Sequence, residues 1–209
     1  MEIEEFIERK ETKPEVTKMY LQNGSLAIRP ATAKDAATLA CWWNDGEIMA
    51  HAGFPNGIYT TAAEVARSLK TDTDWNRRLI LELEGTAIGE MNYRTVADNT
   101  AEIGIKICDV CQREKGFGTQ YLSMLITYLF DQGDYRKILL DTNLRNIRAQ
   151  HVYEKIGFRR VAVHMNAWTD QLGVPQSYVD YELIREWFRQ LRGCETKPAD
   201  TEPCLYGLC

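Results

Sequence analysis

The sequence predicts a single α/β domain built on a mixed sheet. Strand-like runs and amphipathic helical patterns follow one another from about residue 25 to residue 192. Three strands arrive together in the middle of the chain and are followed by strand–helix alternation. A chain of 209 residues, 44% of them hydrophobic, can bury one full core.

The elements read in order as follows. Residues 1–24 form an N-terminal extension in which Ile3, Phe6 and Ile7 lie at helical spacing among charges, an amphipathic helix suited to docking on the domain or on a second copy. LAIR (26–29) is a strand closed by Pro30, and Thr32 to Asp35 has the spacing of a capping box that opens a helix to about Trp43. Asn44-Asp45-Gly46 is a stop. A second helix covers 62–70 with Thr60 or Thr61 as its cap. Strands follow at 78–84, 86–94 and 100–107, with a hairpin turn at Glu84-Gly85. A loop, 109–116, leads into a long helix to about Gln132. KILLD (137–141) is nearly all apolar, as a strand buried on both faces should be. Residues 146–157 form a helix with Gly157 as its C-cap. Strands at 158–165 and 177–184 and a closing helix at 185–191 complete the domain. Residues 193–209, with two prolines and no periodicity, read as a flexible tail.

Composition excludes several classes. The formal net charge is −5 and no basic stripe is present, against a nucleic-acid binder. The acidic start, MEIEEFIERK, lacks the features of a secretory signal, and no apolar run reaches spanning length. The expected compartment is the cytoplasm, where the six cysteines are reduced thiols. Cys108 and Cys111 form a C-x-x-C, but no second such pair exists, so no metal site is expected. His51, His151 and His164 show no ligand spacing.

Chemistry is concentrated in two segments. The first is Arg113-Glu114-Lys115-Gly116-Phe117-Gly118-Thr119, between a strand and a helix. Its glycines allow tight turns and close approach of a ligand. The first amides of the helix lack helical acceptors, and its dipole favours an anion, so a pyrophosphate fits there. Neither a Rossmann nor a Walker pattern is present. The second segment begins about thirty residues later, Asn146-Ile-Arg-Ala149-Gln-His-Val-Tyr153-Glu-Lys-Ile-Gly157-Phe158, with Asn146, Ala149 and Tyr153 on one helix face.

Together the two segments closely resemble the GNAT N-acetyltransferase superfamily, in the branch of aminoglycoside 6′-N-acetyltransferases and ribosomal-protein N-terminal acetyltransferases. Ala87-Ile-Gly89 and Ile28-Arg-Pro-Ala31 share the likeness, which spans about residues 25–185. The resemblance implies a twisted, mostly antiparallel sheet with helices on both faces and two splayed central parallel strands, 100–108 and 136–141. It implies acetyl-CoA in the cleft between them, its pyrophosphate on the 113–119 amides. Backbone groups near Ile107, Cys108 and Val110 would hold the pantetheine arm, Asn146 would hydrogen-bond the cofactor, and Tyr153 would return a proton to the CoA thiolate.

The acceptor must be a neutral amine. For a lysine-like group of pKa ~10.4, losing the proton at pH 7 costs roughly 4.6 kcal/mol, which a carboxylate base can offset. Asp141, at the end of KILLD, stands at the offset of a carboxylate in the same branch. Glu102 and Glu90 on neighbouring strands are the alternatives. The acceptor is a small cationic amine, such as a polyamine or aminoglycoside, or a protein N-terminus, and its contacts belong to 42–60, including Trp42 and Trp43 and a mobile loop at 51–57, and to 165–177. The rival reading is an acyl-CoA sensor without catalysis. The N-terminal stripe allows a homodimer; no nucleic-acid or membrane partner is expected.

Overall fold

The computed structural model describes residues 19–195. The readings on the N-terminal helix, and nearly all of those on the C-terminal tail, lie outside the described residues. The sheet has eight strands: β1 (Leu21–Asn23), β2 (Leu26–Pro30), β3 (Asn76–Leu83), β4 (Thr86–Ala97), β5 (Thr100–Ile107), β6 (Lys137–Asn143), β7 (Arg159–Thr169) and β8 (Pro175–Ile184). They stand side by side in the order β1-β2-β3-β4-β5-β6-β8-β7. All neighbours are antiparallel except β5 and β6, which are parallel.

Local chemistry explains most boundaries. Thr32 and Asp35 form the expected capping box, on a 3-10 turn (Ala33–Asp35) that runs into α1 (Ala36–Asn44). Asp35 is buried and is gripped by the Arg29 guanidinium through two hydrogen bonds of 2.8 Å. Burial works to raise its pKa, but hydrogen bonds from Arg29 and Thr32 outweigh it and hold the carboxyl below the usual range. Asn44-Asp45-Gly46 is both stop and start. Asp45 is extended, and its Oδ1 accepts the amides of Glu47 and Ile48, opening the short α2 (Gly46–Met49). Thr61 rather than Thr60 caps α3 (Ala62–Leu69), with Glu64 closing the box. Glu84 and Gly85 both take positive φ, as a tight two-residue hairpin turn requires.

The sheet begins at Leu21, ahead of the boundary expected at Ser25, and Met19 is only 4% exposed. A three-residue strand is too short to leave a periodic signature. α4 (Phe117–Asp131) and α5 (Ile147–Ile156) cover one face together with α6 (Arg185–Glu195). Their core joins Leu122, Leu125, Leu129 and Phe188 to Ile103, Ile138, Leu140 and Tyr181 from the strands. On the opposite face α1 and α3 pack on Ile80 through Leu39, Val65 and Leu69. That second cover draws on β3 and β4; among the described residues its core takes in nothing from β8 or β7. Among the described residues no helix is long and apolar enough to cross a membrane.

Candidate active site

The cleft comes from an incomplete strand pair. β5 and β6 are matched only at Thr100–Lys137, Ala101–Ile138 and Glu102–Leu139. Beyond these, β5 continues to Ile107 against β4 and β6 continues to Asn143 against β8. The facing edges of 103–107 and 140–143 therefore lack a strand partner. Cys108 turns its amide to Ile88 O at 2.9 Å. In an antiparallel ladder successive residues bond to opposite sides. Hence Ile107, not Cys108, directs its amide into the cleft, while its carbonyl accepts Arg113 Nε at 3.1 Å. The Cys108 amide is thus engaged within the sheet, and of the backbone groups near Ile107, Cys108 and Val110 it is the Ile107 amide that is left to the cleft. Burial pushes the Cys108 thiol up to about 12, with the Glu90 charge adding to it, so the sulfur stays protonated. Val110 sits in a 3-10 turn (Val110–Gln112) and is exposed.

The turn continues into the N-terminus of α4. Glu114 and Gly116 take φ of 63° and 80°, and Gly116 caps the helix with no side-chain hydrogen bond. A Cβ at Gly116 or Gly118 would meet nothing within 4 Å. The leading amides of Phe117, Gly118 and Thr119 thus open outward, unshielded, at the positive end of a 15-residue helix. Lys115 Nζ rests on Gln112 at 3.1 Å, and Glu114 pairs with Arg148 of α5 at 3.3 Å. This arrangement fits a pyrophosphate.

Asn146 caps α5: its Oδ1 accepts the Ala149 amide at 3.2 Å. Seven residues on, Tyr153 is 6% exposed and lies edge-on to Tyr181, with ring centroids 5.7 Å apart. Its hydroxyl has no hydrogen-bond partner among the described residues. Burial raises the phenol's pKa, and the charge of Asp141 raises it further.

Five carboxylates on β4, β5, β6 and β8 share the opposite face, because strand alternation puts them there. Glu90 accepts the Trp43 indole at 2.9 and 3.0 Å and pairs with Lys106 at 3.1 Å. Glu102 pairs with Arg94 at 2.7 Å, Glu182 with Lys137 at 3.0 Å and Asp180 with His164 at 2.7 Å. Asp141 alone makes no side-chain hydrogen bond or ion pair with another described residue; its carboxylate takes only its own backbone amide. It lies in a cavity of about 230 Å³ with Glu102, Leu139, Val161, Asp180 and Glu182. Solvent reaches it through the open cleft, yet enough protein surrounds it that burial raises its pKa, and Glu102 and Asp180 add to the rise.

The segment after α1 packs against β5 and β6. Met49, 3% exposed, touches Lys106 Nζ through its sulfur at 3.2 Å, and the turn Ala50–Ala52 packs on β6. The loop expected to be mobile is clasped. Gln171 accepts the Asn56 amide at 2.9 Å and donates to Gly57 O at 3.0 Å, while its own amide reaches Gly53 O at 3.0 Å. Gly53 is left-handed and lies so close under the Trp168 ring that a Cβ would collide with it. Asp180 and Gln171 were not singled out from sequence, and His164 was noted there only as lacking ligand spacing. Their roles come from cross-strand and loop–loop contacts that have no local pattern.

With this geometry in place, comparison with known proteins is decisive. The model of the acetyltransferase (GNAT) domain matches residues 25–159. The chain belongs to the GNAT acetyltransferase family, and it is an N-acetyltransferase. It is 26% identical over 145 residues to an uncharacterized N-acetyltransferase of Bacillus subtilis, YnaD, covering 68% of this chain and 84% of that one. Its fold matches spermidine N-acetyltransferase from Vibrio cholerae, solved with CoA and spermine, at a TM-score of 0.72 and 20% identity over 80% of this chain and 99% of the other. It also matches RimL, a ribosomal L7/L12 α-N-protein acetyltransferase solved with CoA, at 0.71 and 16% identity over 79% and 98%. The likeness of the two sequence segments to this superfamily is borne out.

Proposed function

We propose that the protein transfers acetyl from acetyl-CoA to a primary amine in the cytoplasm, with Asp141 as base and Tyr153 as proton donor. One observation carries this reading. Of the five carboxylates, only Asp141 has no cationic or hydrogen-bonding partner on another described residue, and it faces the cleft beside a buried phenol that is likewise without one. Glu102 and Glu90 are held by Arg94 and by Lys106 with Trp43. A carboxylate neutralised by a fixed cation is a poorer proton acceptor.

The α4 amides, with Gly116 and Gly118, would hold the pyrophosphate, and Asn146 would bond the pantetheine region through its free amide group. The co-substrate supplies the thioester. Asp141 takes the proton of the incoming ammonium, directly or through water, and the neutral amine attacks the thioester carbonyl. The Ile107 amide is aimed to stabilise the oxygen as it gains charge. Tyr153 gives its proton to the departing sulfur, while the nitrogen of the collapsing intermediate sheds its second proton to water in the open cleft, from which Tyr153 is reprotonated. Its raised pKa makes it a reluctant acid, but the sulfur anion suffers the same burial, so the transfer exchanges one buried anion for another. The charge of Asp141 holds the Tyr153 proton on; once Asp141 is protonated, that restraint lifts and Tyr153 becomes the better acid at the moment it is needed.

The acidic floor supports a cationic acceptor. The Vibrio cholerae relative is a spermidine N-acetyltransferase, and RimL acts on a protein N-terminus, so both small amines and peptide amines belong in the screen. The test is acetyl-CoA-dependent release of free thiol over a panel of amines. Asp141→Asn should lower kcat/KM at pH 7 by about 100- to 10,000-fold, with activity recovering as pH rises and the acceptor loses its proton unaided. If Glu102→Gln shows that recovery and Asp141→Asn behaves as wild type, the base is Glu102. CoA binding without turnover of any amine would leave only the sensor reading.

A further inference from the structure

We propose that Asp180, held by His164, is a positioning residue that governs how tightly Asp141 holds its proton. This rests on the reading of Asp141 as the base. In the antiparallel pair β6–β8, Asp141 stands directly opposite Asp180. Their neighbours along each strand, Leu140 and Thr142, Val179 and Tyr181, are buried on the other face. Side chains so paired lie within about 4.5–5.5 Å at Cβ, and like charges there repel. A sheet gains no stability from that pairing, so its presence in the cleft calls for another explanation.

The partners of the surrounding carboxylates supply one. The charged and titratable groups around Asp141 are Glu102 with Arg94 from β5 and β4, Asp180 with His164 from β8 and β7, and Glu182 with Lys137 from β8 and β6, with Tyr181 of β8 and Tyr153 of α5 on the other side of the sheet. Arg94 and Lys137 carry permanent charge near neutral pH. Asp180 alone rests on a histidine, whose charge changes in the neutral range. His164 Nε2 lies 2.7 Å from Asp180 Oδ2, and its ring is stacked on Tyr178, centroids 4.4 Å apart and planes 14° from parallel, which fixes its direction. Neutral His164 leaves the full charge of Asp180 opposite Asp141, and Asp141 binds its proton more tightly. Protonated His164 cancels that charge, and Asp141 binds its proton less tightly.

The experiment is a pH titration of the full chain carrying carboxyl-13C aspartate, followed by NMR, with the Asp141 signal assigned by its loss in Asp141→Asn. Asp180→Asn should move the Asp141 midpoint down by about one pH unit, and the acid limb of kcat/KM should move with it. His164→Gln keeps a donor on Asp180 but never carries charge, so the Asp141 midpoint should stay at or above the wild-type value. An unchanged midpoint in a folded Asp180→Asn variant overturns the inference, and so does a downward shift in His164→Gln. The role of Asp141 is decided separately by the kinetics of Asp141→Asn. If that variant turns over normally while the midpoints still shift, the coupling stands and the base lies elsewhere.

Discussion

The two ends of the β5–β6 pair are built for opposite purposes. At residues 100–102 and 137–139 the strands are paired, and Ala101 and Ile138 are both fully buried under the helices. A few residues further on, the strands have parted, backbone groups face open space, and Asp141 and Tyr153 carry polar groups without partners on other described residues. One end maximises burial and pairing; the other gives both up. Backbone edges and polar groups left unmatched are destabilising in themselves. Their concentration at one end of one strand pair marks the place where stability yields to chemistry.

Three substitutions test that contrast. Tyr153→Phe at the open end should lower turnover by about ten- to a thousandfold with CoA affinity nearly unchanged. Stability should hold, because the hydroxyl removed has no partner to lose. Equal turnover in the variant would make Tyr153 a packing residue and leave water to protonate the sulfur. Ile138→Ala at the closed end should cost about 3 kcal/mol of stability, read by denaturant unfolding, while the folded fraction keeps its acetyl-CoA affinity. A loss of affinity with little loss of stability would show that the closed end belongs to the site.

The smallest effect has the opposite sign. The folded state raises the pKa of Asp141, so its contribution to stability is fully present below the unfolded value of about 3.9 and is lost as pH rises through the folded one. Above that point the ionised carboxylate weakens the fold, and Asp141→Asn should stabilise the protein at pH 8 by up to about 1 kcal/mol, solvent screening keeping the gain small. The advantage should fade as pH falls toward 4. A thermal melt showing Asp141→Asn less stable than wild type at pH 8 would mean that the carboxylate orders the loop before Asn146.

What could be read from the chain alone was short-range. The capping boxes at Thr32 and Thr61, the hairpin at Glu84-Gly85, the left-handed cap at Gly157 and the glycine turn at 113–119 each lie within a few residues of sequence. Hydrogen bonds and φ preferences at that range act before any tertiary contact forms. The two segments around Gly116 and Tyr153 carried the family likeness for the same reason. The carboxylates are different. Asp141, Glu102 and Glu90 were equivalent in kind as residues, each an acid on or at the end of a strand beside the cleft. The offset seen in relatives put Asp141 first, but the surroundings of the three separated only when register set Arg94 across from Glu102, Lys106 across from Glu90, and Asp180 across from Asp141. The direction of the Cys108 amide, the reach of Gln171 across 114 residues to Gly57 and the pairing of His164 with Asp180 have the same origin. Partners far apart in the chain meet through strand register and loop packing, and charge, burial and proton affinity are properties of that meeting rather than of any residue on its own.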